Sequence, residues 1–111
     1  MTDKIVVIST CGSAEEARRV ASALVEARLA SCVSISSAVE SIYRWKGAVE
    51  KAQEWMLVIK TRRDLLAELQ TELGRVHTYT VPEVIALPVV DGSPAYLDWW
   101  EAELRPPSTA A

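Results

Sequence analysis

Three short runs of the sequence are apolar at every position, and they constrain the fold more than any other feature. The runs are Ile5–Ile8, Trp55–Ile59 and Val84–Leu87. A strand with one face in water alternates apolar and polar side chains, whereas these runs do not alternate. We therefore expect strands that are covered on both faces.

The periodicity of the whole chain predicts seven elements. They follow the order strand, helix, strand, strand, helix, strand, helix over residues 4–10, 13–28, 31–45, 49–61, 64–76, 84–87 and 93–104. Right-handed connections turn the first six into a ferredoxin-like βαββαβ fold, a two-layer α/β (α+β) sandwich with both helices on one face of an antiparallel sheet. The helix at the C terminus is an addition to that fold.

Local signals refine three of these elements. Ser13 and Glu16 have the spacing of a capping box, in which each side chain binds a backbone N–H group at the start of a helix. Ile42 breaks the alternation of its strand and predicts a bulge. Ser93-Pro94 predicts a cap followed by proline at the first position of the last helix.

The predicted fold leaves one face of the sheet without helices. Because the strands are apolar on both faces, that second face would expose a larger patch than soluble monomers usually carry. The last helix has about ten residues and a length of about 15 Å, which is too short to cover a four-stranded sheet. The sequence therefore predicts self-association.

Composition excludes several classes of partner. A chain of 111 residues fits one domain, over 1–105, with a flexible tail at 106–111. The net charge of −3 argues against nucleic acid as a partner, and no apolar stretch has the roughly 20 residues of a membrane helix. Two cysteines are too few for a disulfide scaffold, so we expect a cytoplasmic protein.

Two cysteines and one histidine supply the soft ligands of the chain. Thiolate and imidazole suit copper, so Cys11, Cys32 and His77 are candidate ligands for copper or another divalent cation. The first and second strands run parallel in this fold, which places the two cysteines at opposite ends of the sheet. His77 precedes the last strand and lies at the same end as Cys11, with Glu83 nearby as a further candidate ligand.

Several motifs in the right order resemble the CutA divalent-cation tolerance family and cover most of the chain. The matching segments are Cys32-Val33-Ser34-Ile35, Ser41-Ile42-Tyr43-Arg44-Trp45-Lys46-Gly47, Glu54, Lys60-Thr61, His77-Thr78-Tyr79-Thr80-Val81-Pro82-Glu83, Gly92 and Tyr96-Leu97-Asp98-Trp99. The chain departs from the family pattern at Ser34, where Asn is usual, and at Thr78, where Pro is usual.

The resemblance implies a homotrimer with PII-like architecture and a role in the response to metal ions, chiefly copper. Long hairpins would then reach neighbouring subunits, and four aromatic residues are the predicted interface contacts: Tyr43, Trp45, Trp55 and Trp99. An alternative is a PII-like signalling module that binds a small effector or a partner protein in its inter-subunit clefts. No nucleophile-and-base motif or phosphate-binding loop is present, so we expect no enzymatic activity.

Overall fold

Five strands pair into one antiparallel sheet in the computed structural model, which describes residues 1–107. They are β1 (Lys4–Cys11), β2 (Cys32–Ile35), β3 (Val39–Trp45), β4 (Ala48–Arg62) and β5 (Ile85–Pro88). Their order is β2-β4-β1-β5, and β3 extends the pairing along β4. Because β1 and β2 both pair with β4 antiparallel, they run parallel to one another, as predicted.

Three α-helices complete the fold within residues 1–107, at the positions predicted from the sequence. They are α1 (Ala14–Glu26), α2 (Leu66–Val76), which follows a 3-10 turn at Arg63–Leu65, and α3 (Pro94–Glu103). Apolar residues of α1 and α2 form one core with the sheet, and this arrangement confirms the two-layer α/β architecture. No helix among residues 1–107 is long and apolar enough to cross a membrane. Most of the predicted tail, residues 108–111, lies outside the described residues.

The two helix starts differ in their capping. Ser13 Oγ accepts a hydrogen bond from the Glu16 amide at 3.0 Å, which confirms the predicted cap of α1. The Glu16 carboxylate, however, reaches past Ser13 to the amide of Gly12 at 3.2 Å. The prediction for Ser93 is half right, since Pro94 begins α3 but the Ser93 side chain makes no capping hydrogen bond.

The predicted strand over 31–45 is two strands, and the predicted bulge at Ile42 is wrong. Ile35 pairs with Leu57, and Val39 pairs with Glu54. Three residues, 36–38, therefore lie opposite two residues, 55 and 56, so the extra residue occurs before Ile42. Ser36 anchors the irregular segment, because its amide donates to the Met56 carbonyl and its Oγ accepts from the Met56 amide. A serine that can bond the backbone twice favours the bulge at this point.

The two faces of the sheet differ in how well they are covered. On the face under α1 and α2, Val7, Leu57 and Ile59 are completely buried. On the opposite face, the apolar side chains of β5 are half exposed, at 50% for Ile85 and 49% for Leu87. The helices cover only one of the two apolar faces, as the sequence predicted. We call the uncovered one the open face.

Helix α3 packs at one end of the sheet and leaves the open face free. The Trp100 indole N–H donates to the Thr61 carbonyl at 3.0 Å, and Trp100 is buried in the core. Glu101 binds both Lys4 Nζ, at 2.8 Å, and Arg62 Nη1, at 2.7 Å. The two buried cations at this end of the sheet, Lys4 and Arg62, are therefore paired with acidic side chains.

Candidate functional site

Three buried polar side chains meet at the end of the sheet opposite Glu101. Cys11 is the last residue of β1, Glu16 lies in the first turn of α1, and His77 directly follows α2. Each offers one ligand atom, and these atoms all lie within 4.8 Å of one another. The structure thus brings the predicted pair Cys11 and His77 together and adds Glu16 to them. We call these three residues the Cys-Glu-His cluster.

Hydrogen bonds to the backbone fix the orientation of the His77 ring. Its Nε2 lies 2.7 Å from the Thr10 carbonyl oxygen, which can only accept, so Nε2 carries the proton. Its Nδ1 accepts a hydrogen bond from the Tyr79 amide at 3.0 Å. The imidazole is therefore neutral, with its proton on Nε2. Cys11 Sγ lies 3.7 Å from the same Nε2 atom.

Glu16 is the charged member of the cluster. Its Oε2 accepts from the Thr78 amide at 2.7 Å and its Oε1 from the Gly12 amide. Burial alone would raise the pKa of Glu16, but the hydrogen bonds from Thr78 and Gly12 hold that pKa below its usual value. Burial, together with the negative charge of Glu16, raises the pKa of the Cys11 thiol to about 12. With these hydrogen bonds the cluster holds one carboxylate, one protonated thiol and one imidazole that carries its proton on Nε2.

The donor set of the cluster fits a transition-metal cation. Sulfur, imidazole nitrogen and carboxylate oxygen together suit copper or zinc. Donor atoms bound to one ion at about 2.0–2.3 Å lie within about 4.6 Å of one another, which is close to the 4.8 Å limit found here. The unpaired negative charge of Glu16 adds attraction for a cation. Binding would require the thiol to lose its proton and the histidine to give up one backbone hydrogen bond.

The other two predicted ligands lie apart from the cluster. Cys32 is partly buried at the far end of the sheet, where Lys60 Nζ lies 3.7 Å from its Sγ atom. This position agrees with the predicted separation of the two cysteines. Glu83 is exposed and lies on the wall of a neighbouring pocket. Within residues 1–107, neither contributes to the group of possible metal ligands around His77.

A pocket of about 720 Å³ adjoins the cluster on the side of the β3–β4 hairpin. Its walls include Tyr43 and Trp45 from β3, and Tyr79 from the segment between α2 and β5. Glu54 of β4 lines it as well, together with Glu83. We call this cavity the hairpin pocket. Both hairpin aromatics are exposed in the single chain, where they are available for contact with a ligand or a neighbouring subunit.

The remaining two predicted interface aromatics lie in different surroundings. Trp99 is 42% exposed on α3, where it packs against Tyr96 with a ring-centroid distance of 5.5 Å. Trp55 pairs with Cys11 across β4 and β1 and packs partly buried against the core. Trp55 therefore lies on the helix-covered face of the sheet. Its contact with another subunit stays a prediction, as do those of the other three.

Sequence reasoning missed the site roles of two glutamates. The capping-box spacing fully explained Glu16, and nothing in the local pattern indicated that its carboxylate would reach the loop at Thr78. Glu54 was noted as part of a family motif only. The sequence signal that could have identified Glu54 is its position directly before the apolar run at 55–59, where the residues of the strand change from mostly exposed to mostly buried.

Comparison with known protein families gives one match across nearly the whole chain. Residues 5–103 match the family described as CutA1 divalent ion tolerance protein. The divalent-cation tolerance protein CutA of Thermus thermophilus is 48% identical over 94 residues, which are 85% of this chain and 91% of that protein. The chloroplastic protein CutA of Arabidopsis thaliana is 43% identical over 101 residues, 91% of this chain. The chain spans 56% of the length of that plant relative.

Solved structures of related proteins have the same fold. A divalent cation tolerance protein (Cut A1) from Thermus thermophilus superposes with a TM-score of 0.90 at 44% identity, covering 92% of this chain and 99% of the other. A periplasmic divalent cation tolerance protein CutA from Archaeoglobus fulgidus superposes with a TM-score of 0.88 at 35% identity. That match covers 92% of this chain and 99% of the other. These relatives therefore resemble this chain in both sequence and fold.

Proposed function

This chain belongs to the CutA1 divalent ion tolerance protein family, and from that membership we propose that it is a cytoplasmic homotrimer that binds divalent cations, chiefly copper. The observation that carries the proposal is the Cys-Glu-His cluster, in which sulfur, nitrogen and oxygen donors meet within 4.8 Å. Catalysis is not part of the proposed role. A reducing compartment would keep both cysteines as free thiols.

Each residue of the cluster has a separate task in cation binding. Cys11 supplies the soft ligand and releases its proton when the ion binds, because only the thiolate is a good metal ligand. His77 supplies an imidazole nitrogen after leaving one of its backbone partners. Glu16 supplies negative charge that offsets the charge of the ion. The amides of Gly12 and Thr78 keep that carboxylate in place.

The open face supports self-association. Val6 and Ile8 of β1, and Val58 of β4, are only partly buried there, beside the half-exposed side chains of β5. A continuous apolar surface of this kind is stabilised by a second copy of the chain. The β3–β4 hairpin extends beyond the Cys11 end of the sheet, with Tyr43 and Trp45 exposed on it, and it is suited to reach a neighbouring subunit.

A metal titration tests the proposed cation binding. Calorimetry of the reduced protein with copper, zinc and magnesium salts should give saturable binding of copper, weaker binding of zinc and none of magnesium, because the cluster contains a soft donor. Alkylation of the thiols in the unfolded chain, followed by refolding, should abolish the copper signal. Binding of all three ions with equal strength would contradict a site built on Cys11.

Light scattering coupled to size exclusion tests the proposed assembly. At micromolar chain concentration we expect a mass of three chains of 12.2 kDa each. A single-chain mass would show that the open face stays exposed to solvent without a partner subunit. The structural argument for the trimer would then fail.

A further inference from the structure

Glu54 is a buried carboxylate without a positive partner. Its residue is 8% exposed, yet none of the Lys, Arg or His side chains among residues 1–107 lies within ion-pair distance of it. Its one hydrogen-bond donor in the same part of the chain is the Tyr79 hydroxyl, 2.9 Å from Oε2. A buried charge that lacks a counter-ion is unfavourable. Glu54 therefore favours the entry of a cation.

The hairpin pocket gives such a cation an entrance that is lined partly by aromatic side chains. Glu54 lines the pocket together with three aromatic residues, Tyr43, Trp45 and Tyr79. Glu83 adds a second carboxylate, and no Lys or Arg contributes to the lining described here. The faces of aromatic rings attract organic cations, most strongly where water is excluded. At about 720 Å³ the volume lies in the range of small-molecule sites.

Tyr79 is fixed in a position that keeps the carboxylate and the aromatic wall together. Its amide binds His77 Nδ1, and its ring packs against the His77 ring with a centroid distance of 4.7 Å. Its hydroxyl lies so close to Gly12 that a Cβ atom at that position would approach it to 3.2 Å. Burial, followed by the hydrogen bond to Glu54, raises the pKa of Tyr79, so the hydroxyl stays a donor.

We propose that the hairpin pocket binds a small organic cation, a primary ammonium group on an aromatic or alkyl body, with Glu54 as its counter-ion, Tyr79 as its fixed wall, and the hairpin aromatics Tyr43 and Trp45 as the wall that it shares with a neighbouring subunit. This site is separate from the Cys-Glu-His cluster, since neither Cys11 nor His77 lines the pocket. Three aromatic rings suit the apolar body of an organic cation, whereas a hydrated metal ion gains little from them. The inference stands whether or not the cluster binds copper.

Calorimetry with a matched pair of probes tests this proposal on the assembled, metal-free protein. Benzylamine is a cation at pH 7, and benzyl alcohol is its neutral analogue of nearly the same shape. We expect saturable binding of benzylamine and at least about tenfold weaker binding of benzyl alcohol, because only the ammonium group forms an ionic hydrogen bond with Glu54. Equal affinity for the two probes would remove Glu54 as the counter-ion and overturn the proposal.

Two glutamate variants identify the residue responsible. Glu54→Gln keeps an acceptor for the Tyr79 hydroxyl but removes the charge, and it should weaken benzylamine at least about tenfold while leaving benzyl alcohol unchanged. Glu40→Gln is the matched control, since Glu40 is an exposed carboxylate of the same hairpin and should not matter. Near-ultraviolet circular dichroism confirms that both variants are folded. Wild-type benzylamine affinity in Glu54→Gln, or no benzylamine binding to the wild-type assembly, would overturn the proposal; in the second case a basic side chain of a neighbouring copy becomes the alternative occupant.

Discussion

The two ends of the sheet differ in whether their buried charged side chains have partners of opposite charge. At the α3 end, Arg62 is 2% exposed, and its guanidinium binds the carboxylates of Asp64 and Glu101. At the hairpin end, Glu54 is 8% exposed and has no cation beside it, and the Glu16 carboxylate is held by amides. In the described structure, buried charge is thus paired at one end of the sheet and unpaired at the other.

This difference separates a structural role from a binding role. Side chains that form ion pairs with one another hold α3 against the sheet, and they have no uncompensated charge that could attract a ligand. Carboxylates that are fixed in place but keep an uncompensated negative charge favour a ligand that carries positive charge. The hairpin end also holds the exposed aromatics and the soft donors, on which the proposed cation binding rests.

The largest expected effect is at the paired end. Arg62→Met removes the cation from a buried network and should lower the free energy of unfolding by about 1.5–3 kcal/mol, because Asp64, Glu101 and the Arg105 carbonyl lose hydrogen bonds from a charged donor. Arg63→Met, at the adjacent exposed position, should change it by less than about 0.5 kcal/mol. Urea unfolding at matched chain concentration measures both.

The same experiment applied to Glu54 sharpens the comparison. Glu54→Gln should leave the unfolding free energy unchanged or raise it, since it removes a charge that has no partner. A loss as large as that of Arg62→Met would show that Glu54 is paired in the folded protein, and the contrast between the two ends would disappear.

The hairpin should contribute to assembly through Trp45. A buried aromatic anchor typically contributes about 2 kcal/mol or more at an interface, so Trp45→Ala should dissociate the assembly at higher chain concentration than the wild type. Glu103→Ala, an exposed change on α3, should leave dissociation unchanged. Light scattering over a dilution series distinguishes them, and equal behaviour of the two variants would mean that the hairpin does not dock.

Substitution of Thr78 tests whether the backbone amide of that residue holds the Glu16 carboxylate in place. Proline has no amide hydrogen, so Thr78→Pro should remove the 2.7 Å bond to Glu16 and lower the unfolding free energy by about 1.5 kcal/mol. The preceding residue, His77, already has the extended backbone that proline favours, with φ −83° and ψ 143°. Thr78→Ala keeps the amide and should lower the unfolding free energy by less, since it removes only the hydroxyl, which also helps to hold the pKa of Glu16 down. Equal losses in both variants would exclude the amide as the cause.

A further effect concerns pH. The pKa of the Cys11 thiol is about 12, so the thiol is protonated at neutral pH and must release that proton to bind a metal. Copper affinity should therefore rise with pH, by up to about tenfold per unit between pH 6 and 8. Cys11→Ser should flatten this dependence. An affinity that is independent of pH in the wild type would show that Cys11 is not a ligand.

Sequence reasoning predicted the order and location of the elements, because strand and helix periodicity are local properties of the chain. It also predicted that Cys11 and His77 share one end of the sheet, since strand direction determines that end. It misplaced the bulge, because Ser36 fixes it through bonds to Met56, 20 positions away. The roles of Glu16 and Glu54 depend on contacts with Thr78 and Tyr79, which no local pattern contains.

Copper titration of four proteins tests the central claim, that the hairpin end is where this chain binds cations. We expect Cys11→Ser to weaken copper binding by about 100-fold or more, and His77→Ala to weaken it by a similar factor, because loss of a ligand exceeds the 10–100-fold effect of losing a residue that supports one. Cys32→Ser should bind as the wild type does. Calorimetry at matched chain concentration gives these affinities directly. Wild-type affinity in both Cys11→Ser and His77→Ala would contradict the account.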